Sequence, residues 1–260
     1  MYLTIITVTY NDKEGLIRTR DSILPLPENC EWVIIDAAST DGTLEVLEAL
    51  TNTNHIRWVS ESDKGIFDGM NKGIFLARGE YLNFMNSGDC FVRKSFEYVS
   101  ESEPRNADII MYDCMTVDEN NNQGYARKFP ESIGEIKTWA CVQHQSTLLN
   151  KEIFDKLGSY SLDYKYLSDY EHSVRAYLDG TISFHLDKGV KLACFLLGGV
   201  STSLNTTSEV MREYVLIQKK YFGHASKKIY VVNLFKRIVF YMPRSELVMK
   251  YARKIFLSKR

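Results

Sequence analysis

The sequence predicts an α/β fold, with a mostly parallel, Rossmann-like central sheet flanked by helices and a basic helical extension at the C-terminus. Three observations predict it. Short apolar strands alternate with helix-length segments through the first half, which implies crossovers between parallel strands. Two of these strands end in loops of small polar residues, and in open α/β sheets that edge is where ligands bind. Basic residues gather in the last segment, where residues 224–260 hold ten Lys or Arg and a single acid, Glu246.

Leu3–Val8 is the first strand, Thr9-Tyr10-Asn11-Asp12 its loop, and Glu14–Ser22 a helix. The second strand, Trp32–Asp36, ends on a carboxylate, which is costly at a buried strand end unless it is used. Ser39-Thr40-Asp41-Gly42-Thr43 then reads as the cap of a helix over Leu44–Leu50. Two strand–loop–helix units with polar loops at one sheet edge suggest a nucleotide pocket. A third strand over Ile56–Val59 leads through Ser60–Gly65 into a helix over Ile66–Ala77 that ends at Gly79. Tyr81–Met85 is a fourth strand, running into Asn86-Ser87-Gly88-Asp89, and Asp108–Tyr112 a fifth. Asp118–Gly124 is a turn between strands. In the second half, Lys151–Leu157, Tyr170–Leu178 and Ser208–Phe222 read as helices, and Ser183–Leu186 and Val190–Phe195 as strands. Gly223 is expected to end the globular body, giving a domain over 1–223 and a tail over 224–260.

At 260 residues, 45% hydrophobic and 25% charged, the chain is long enough to bury a full core. The five cysteines, Cys30, Cys90, Cys114, Cys141 and Cys194, form no Cys-x-x-Cys pair, so reduced thiols in a cytoplasm are expected rather than a disulfide framework or zinc site. The N-terminus enters a strand directly, so no secretory leader is expected, and no apolar run approaches the roughly 20 residues of a spanning helix. The net charge is −1, and because the tail carries +9, the remaining residues carry −10, an acidic body with a basic tail suited to an anionic surface.

Six segments carry a family resemblance. They are Thr7-Val8-Thr9-Tyr10-Asn11; Ile35-Asp36 with Ser39-Thr40-Asp41-Gly42-Thr43; Ser62-Asp63-Lys64-Gly65-Ile66-Phe67-Asp68-Gly69-Met70-Asn71-Lys72-Gly73; Gly79-Glu80-Tyr81; Asn86-Ser87-Gly88-Asp89; and Ser168-Asp169-Tyr170-Glu171. In order and spacing they resemble the family-2 glycosyltransferases of GT-A fold, especially the bacterial surface-polysaccharide (O-antigen and colanic-acid-like) branch, over about residues 1–200. The resemblance implies an inverting transfer of a sugar from a nucleotide donor, a UDP-sugar, to a hydroxyl of a lipid-linked saccharide of undecaprenyl-diphosphate type. Residues 1–113 would then form the nucleotide-sugar half and 114–223 the acceptor half.

On that resemblance Thr9, Tyr10 and Asn11 wall the base, and Asp36 accepts hydrogen bonds from base or ribose; its alternative reading is a turn cap. Asp63, Lys64, Gly65, Asp68, Asn71 and Lys72 lie under the diphosphate and sugar, where a helix N-terminus offers N–H groups to phosphate. Lys72 reads equally as a solvated helix lysine paired with Asp68. Ser87 and Gly88 also face the donor. Asp89 is the expected ligand of Mn²⁺ or Mg²⁺, cations held by one or two carboxylates plus phosphates; many family members carry Asp-x-Asp or Asp-Asp here, whereas this chain has one acid. Asp169 is expected as the base that takes the acceptor proton, with a helix cap as its alternative; the family's preceding acid is replaced by Ser168. His144, Gln145, Gly199 and Ser201 are expected to border the acceptor.

From Lys227 to Arg260, Ile229, Val232, Phe235 and Val239 share one helical face and Leu247, Tyr251 and Ile255 another beyond Pro243. A basic amphipathic tail fits the interface of an anionic membrane, placing the protein peripherally on the cytoplasmic face of a bacterial inner membrane. The other reading packs the tail on the body. No base-reading motif for nucleic acid is present. Two further functions stay open: a nucleotidyltransferase, although Thr9–Gly15 lacks a Gly-rich basic loop, and a non-catalytic sugar-nucleotide or saccharide binding protein. A dehydrogenase is disfavoured because no Gly-x-Gly-x-x-Gly follows the first strand.

Overall fold

The computed structural model describes residues 1–51, 53–102, 106–117, 123–126, 128–196 and 206–226. Met1–Ile136 and Ala140–Leu197 form one compact unit, and Lys137–Trp139 with Gly198–Arg260 a second.

The first unit is built on one mixed sheet. Its strands are β1 (Leu3–Thr9), β2 (Cys30–Asp36), β3 (Ile56–Ser60), β4 (Tyr81–Phe84), β5 (Cys90–Phe91), β6 (Ile109–Val117), β7 (Gln123–Ala126), β8 (Thr147–Asn150) and β9 (Phe184–Leu196), in the order β3-β2-β1-β4-β8-β6-β9-β5 with β7 on β6. The β3-β2-β1-β4 half is parallel throughout. Beyond it, β8 runs antiparallel to β4 and β6, β7 antiparallel to β6 and β5 antiparallel to β9, while β6 and β9 are parallel. The expectation of a mostly parallel sheet is therefore corrected: it describes the β3-β2-β1-β4 half, and the rest is mixed. The two strands expected over 183–195 are one long strand, β9. The turn expected after Val117 falls largely on 118–122, outside the described residues.

The helices of this unit are α1 (Lys13–Ile23), α2 (Thr43–Glu48), α3 (Ile66–Leu76), α4 (Arg93–Glu101), α5 (Glu152–Leu157) and α6 (Ser168–Asp179). Alternate residues of β1 feed two cores. Leu3 and Ile5 join Leu16 and Ile23 of α1, Val46 and Leu47 of α2 and Phe96 of α4. Ile6 and Val8 join Met70 and Ile74 of α3, Phe154 of α5 and Ala176 of α6. The period of two along a strand makes this division. α3 sits unusually close to β1, because a Cβ on Gly69 would lie 2.7 Å from Val8 and one on Gly73 would lie 2.4 Å from Ile6. Gly79 does not cap α3 in a left-handed conformation; it lets the chain pass Thr4, whose backbone nitrogen would lie 2.5 Å from an added Cβ.

At the edge away from the strand C-termini, Glu31 is buried yet charged. It accepts from Thr4 Oγ1 (2.7 Å), Arg57 (2.7 Å) and the Arg78 N–H. Burial opposes its charge, but these donors outweigh burial and hold its pKa below the ordinary glutamate value.

In the second unit, α7 (Thr207–Phe222) ends at Gly223, whose φ of 76° is left-handed and whose N–H bonds the Lys219 carbonyl. Gln218 is buried; its amide donates to the Lys137 carbonyl (2.9 Å) and its carbonyl accepts from the Ser226 N–H (2.6 Å). Among the described residues no helix is long and apolar enough to cross a membrane.

Candidate functional site

The strand order reverses on either side of β1: the chain builds outward through β2 and β3, then returns to place β4 on the other side of β1. Ligands bind at such a switch point, outside the carboxyl ends of the strands. Thr9, Asp36 and Ser60 stand in register at those ends. Asp36 is fully buried, and both of its oxygens are engaged by the protein. Oδ2 accepts from the Ser39 N–H (3.0 Å) and Ser60 Oγ (2.6 Å), and Oδ1 accepts from Ser39 Oγ. Ser39 Oγ in turn accepts from the Asn11 N–H (2.7 Å), while Asn11 Oδ1 accepts from the Thr40 N–H (2.8 Å). The loops after β1 and β2 are thus laced together, with Asn11 and Ala38 both at positive φ. Tyr10 is 65% exposed and lies open beside this lacing, whereas Thr9 is buried.

At the start of α3 the carboxylates serve the backbone. Asp63 Oδ1 accepts from the Gly65 N–H (2.9 Å) and Asp68 Oδ2 from the Lys64 N–H (3.0 Å). Gly65 has φ 119° and open space around it, so the loop there requires glycine. Lys72 bonds Glu61 (2.8 Å) and the Ser62 carbonyl (2.9 Å), with Asp68 farther at 3.9 Å. The Glu61 hydrogen bond is the main cause that raises its pKa. Asn71 turns away from this loop: its amide donates to the Tyr160 carbonyl (2.9 Å) and accepts the Tyr160 N–H (3.0 Å).

The turn after β4 is rigidly supported. Gly88 has φ 93°, and its N–H donates to Thr19 Oγ1 (3.1 Å), which donates to the Asp89 carbonyl (2.7 Å). Ser87 Oγ donates to Asp12 Oδ2 (2.7 Å), the same carboxylate that caps α1 through the Gly15 N–H. Asp89 is 5% exposed, and its Oδ2 accepts from Gln145 Nε2 (3.0 Å).

The neighbouring residue completes a second link. His144 Nδ1 lies 3.1 Å from Asp169 Oδ2, and His144 Nε2 lies 3.2 Å from Asn86 Nδ2. His144 and Gln145 belong to a short 3₁₀ turn, His144–Ser146, between Val142 and β8. Buried Asn83 of β4 clamps that turn by donating to the Gln145 and Thr147 carbonyls, each at 3.0 Å. One turn therefore touches both Asp89 and Asp169. Asp169 occupies the first turn of α6, and its Oδ1 accepts from the Tyr170 N–H (2.8 Å). Its side chain remains 23% exposed and can meet solvent or a ligand. Glu171, two residues on, is buried and paired with Arg175 (2.9 Å).

Beneath α6, Tyr160 and His172 pack with Phe154 and Phe84. Burial, then the nearby Asp169 charge, raises the Tyr160 pKa well above the ordinary tyrosine value. Asn71 thus holds the backbone of Tyr160, whose ring feels the Asp169 charge. Asn83, Asn86, Ser39, Ser60 and Thr19 join the residues expected from the sequence as supports of the site. Asn86 and Ser39 lie inside recognised motifs, but Asn83, Ser60 and Thr19 leave no local signal. Gly199 and Ser201 lie outside the described residues.

Among the described residues no group of three or more His, Cys, Asp or Glu is gathered to hold a metal. One carboxylate, Asp89, fits a cation whose remaining ligands come from a diphosphate and water. It does not fit a cation caged by protein alone.

Comparison with known proteins agrees with this geometry. The family model "Glycosyl transferase family 2" matches residues 4–162, more than half of the chain. A PGL/p-HBAD biosynthesis glycosyltransferase of Mycobacterium tuberculosis is 25% identical over 181 residues, covering 67% of this chain and 68% of that protein. An uncharacterized glycosyltransferase of the same species is 29% identical over 187 residues, covering 68% and 69%. Among solved structures, Staphylococcus aureus TarS 1–349 in complex with UDP-GlcNAc superposes with TM-score 0.69 at 16% identity, covering 88% of this chain and 69% of that one. The mannosyltransferase of Pyrobaculum calidifontis in complex with GDP-Man and Mn²⁺ gives TM-score 0.63 at 14% identity, covering 90% and 68%. The fold is similar to that of the GT-A glycosyltransferases, and the family match sets aside the nucleotidyltransferase and binding-protein readings. With the family model spanning the switch-point loops and the Asp89 turn alike, the chain belongs to glycosyl transferase family 2 and is a glycosyltransferase.

Proposed function

We propose that this glycosyltransferase inverts the anomeric centre in one displacement, moving a sugar from a UDP-sugar to a hydroxyl of a lipid-linked saccharide in bacterial polysaccharide assembly. The observation that carries the reading is the pairing of two carboxylates through one turn: Gln145 on Asp89 and His144 on Asp169. A single displacement needs two opposed sites, one stabilising the leaving diphosphate and one accepting the nucleophile's proton.

In this reading the acceptor oxygen forms the bond to the anomeric carbon as the bond from that carbon to the diphosphate oxygen breaks. Asp169 takes the hydroxyl proton, and the bonding electrons leave on UDP. Asp89 is the residue that would hold Mn²⁺ or Mg²⁺, which when bound would offset the charge of the departing diphosphate. Tyr10 is the exposed group available to the base, and Asp36, with Ser39 beside it, serves the nucleoside. Asp63, Lys64, Gly65, Asp68 and Lys72 border the donor from the α3 side, and Ser87 and Gly88 from the β4 side. Residues 224–260 form a basic membrane-docking tail and 1–223 the catalytic domain. The protein then works peripherally on the cytoplasmic face of the inner membrane, where lipid-linked acceptors are presented. Support for the UDP donor comes from the TarS complex with UDP-GlcNAc, and for the metal from the mannosyltransferase complex with Mn²⁺.

A panel of UDP-GlcNAc, UDP-glucose, UDP-galactose and GDP-mannose with Mn²⁺ tests the reading. At least one UDP-sugar is expected to raise the melting temperature by mass action and to release UDP. Absence of both effects across the panel contradicts it.

A further inference from the structure

We propose that His144 is a positioning residue for the transfer: its Nδ1–H orients the Asp169 carboxylate while Asn86 locks the ring. The proposal rests on reading Asp169 as the base. A carboxylate oxygen only accepts, so Asp169 Oδ2, 3.1 Å from Nδ1, calls for the ring proton on Nδ1 and leaves Nε2 to accept from Asn86 Nδ2 at 3.2 Å. That proton points at Asp169 Oδ2, 3.1 Å away. The Tyr170 N–H occupies Oδ1 at 2.8 Å. Each oxygen thus receives one donor and keeps a second lone pair, which suits a carboxylate that must also accept from a hydroxyl.

The same turn fixes the spacing of the site. Gln145 donates to Asp89, and fully buried Asn83 holds the Gln145 and Thr147 carbonyls. Asn86 belongs to the β4 turn that carries Asp89, so His144 ties the leaving-group side of the site to the base. Positioning of this kind contributes by holding reacting groups in a productive geometry rather than by binding.

Two measurements on the full-length protein test the proposal. The first is ¹⁵N imidazole NMR at mildly alkaline pH, with the His144 resonance identified by its loss in His144→Gln. The Nδ1–H tautomer is expected in the wild type and also in Asn86→Leu, where Asp169 still accepts from it. An Nε2–H ring in the wild type overturns the proposal, and this readout needs no substrate. The second is UDP or GDP release from whichever sugar nucleotide of the panel the wild type cleaves fastest, with Mn²⁺. An asparagine amide nitrogen falls near the histidine Nδ1 position and a glutamine one near Nε2. His144→Asn should therefore keep most of kcat, whereas His144→Gln and His144→Ala lose on the order of tenfold or more with donor KM held within about threefold. Equal kcat in all three variants, or a change in KM alone, overturns the proposal. Asp169→Asn run in parallel separates the two ideas. If it turns over normally, the base assignment fails; if it is inactive while His144→Gln and His144→Ala match the wild type, only the role of His144 fails.

Discussion

Gln145 Nε2 donates to Asp89 Oδ2 across 3.0 Å, with both side chains buried. A carboxylate kept out of water needs its donors, and removing one leaves the group partly desolvated without compensation. Gln145→Leu is expected to lower unfolding free energy by about 1–3 kcal/mol, read as a lower urea midpoint at unchanged m-value. Gln145→Glu is expected to cost more, because it sets a second carboxylate against Asp89. A wild-type midpoint in both variants contradicts the contact.

The approach of α3 to β1 gives a steric prediction. Alanine ordinarily favours a helix over glycine by about 1 kcal/mol. At Gly73 its Cβ would lie 2.4 Å from Ile6 Cγ2, and overpacking a tight core costs about 1–3 kcal/mol. Gly73→Ala is therefore expected to destabilise despite the helix preference, by an amount calorimetry resolves. A higher melting temperature would show that α3 can move off the strand.

Stability is expected to fall on acidification in two windows. His172 stacks on Phe154 with ring centroids 4.7 Å apart, and burial, followed by the Arg175 charge, pushes its pKa down to about 3. The unfolded chain protonates this residue below about pH 6.5. Between those values the unfolded state binds more protons, so stability drops as pH falls, by up to about 1.4 kcal/mol per unit. His172→Phe should flatten this part of the profile. Glu31, with its pKa held below the ordinary value, acts lower: its contribution is present above the unfolded glutamate pKa and is lost as pH falls through its folded value. Arg57→Met should weaken that lower limb and leave the upper one intact. Unfolding by urea across pH 3–7 separates the two.

Much of the parallel half of the sheet was legible because its signals are local. β1, β2 and β3 are apolar runs ending at polar loops, and α1 and α3 carry clear periodicity and lie close to their expected limits. α4 went unseen: its N-cap position is Val92, with no side-chain cap to mark the start. β5 is two residues long, too short to stand out from a loop. Asp36 was legible as a strand-end acid, but its partners were not, since Ser60 reaches it from the next strand. The link from Asn86 through His144 to Asp169 joins three separate elements, and no spacing rule brings them together. The amide of Asn71 bonds the backbone of Tyr160, 89 positions away, a partner that no local spacing reveals.

The basic tail yields a separate prediction. Full-length protein is expected to co-sediment with vesicles containing anionic lipid, and a chain ending at Gly223 is expected to lose most of that binding, each cation near the surface being worth about 1 kcal/mol. Equal binding by both would contradict membrane docking through 224–260.

The role of Asp169 is tested most directly by Asp169→Asn, an isosteric change that keeps an acceptor oxygen and removes the base. Donor affinity, measured by thermal shift with the preferred UDP-sugar and Mn²⁺, is expected to stay near wild type. The transfer rate is expected to fall on the order of a hundredfold or more. Wild-type turnover by Asp169→Asn would contradict the account.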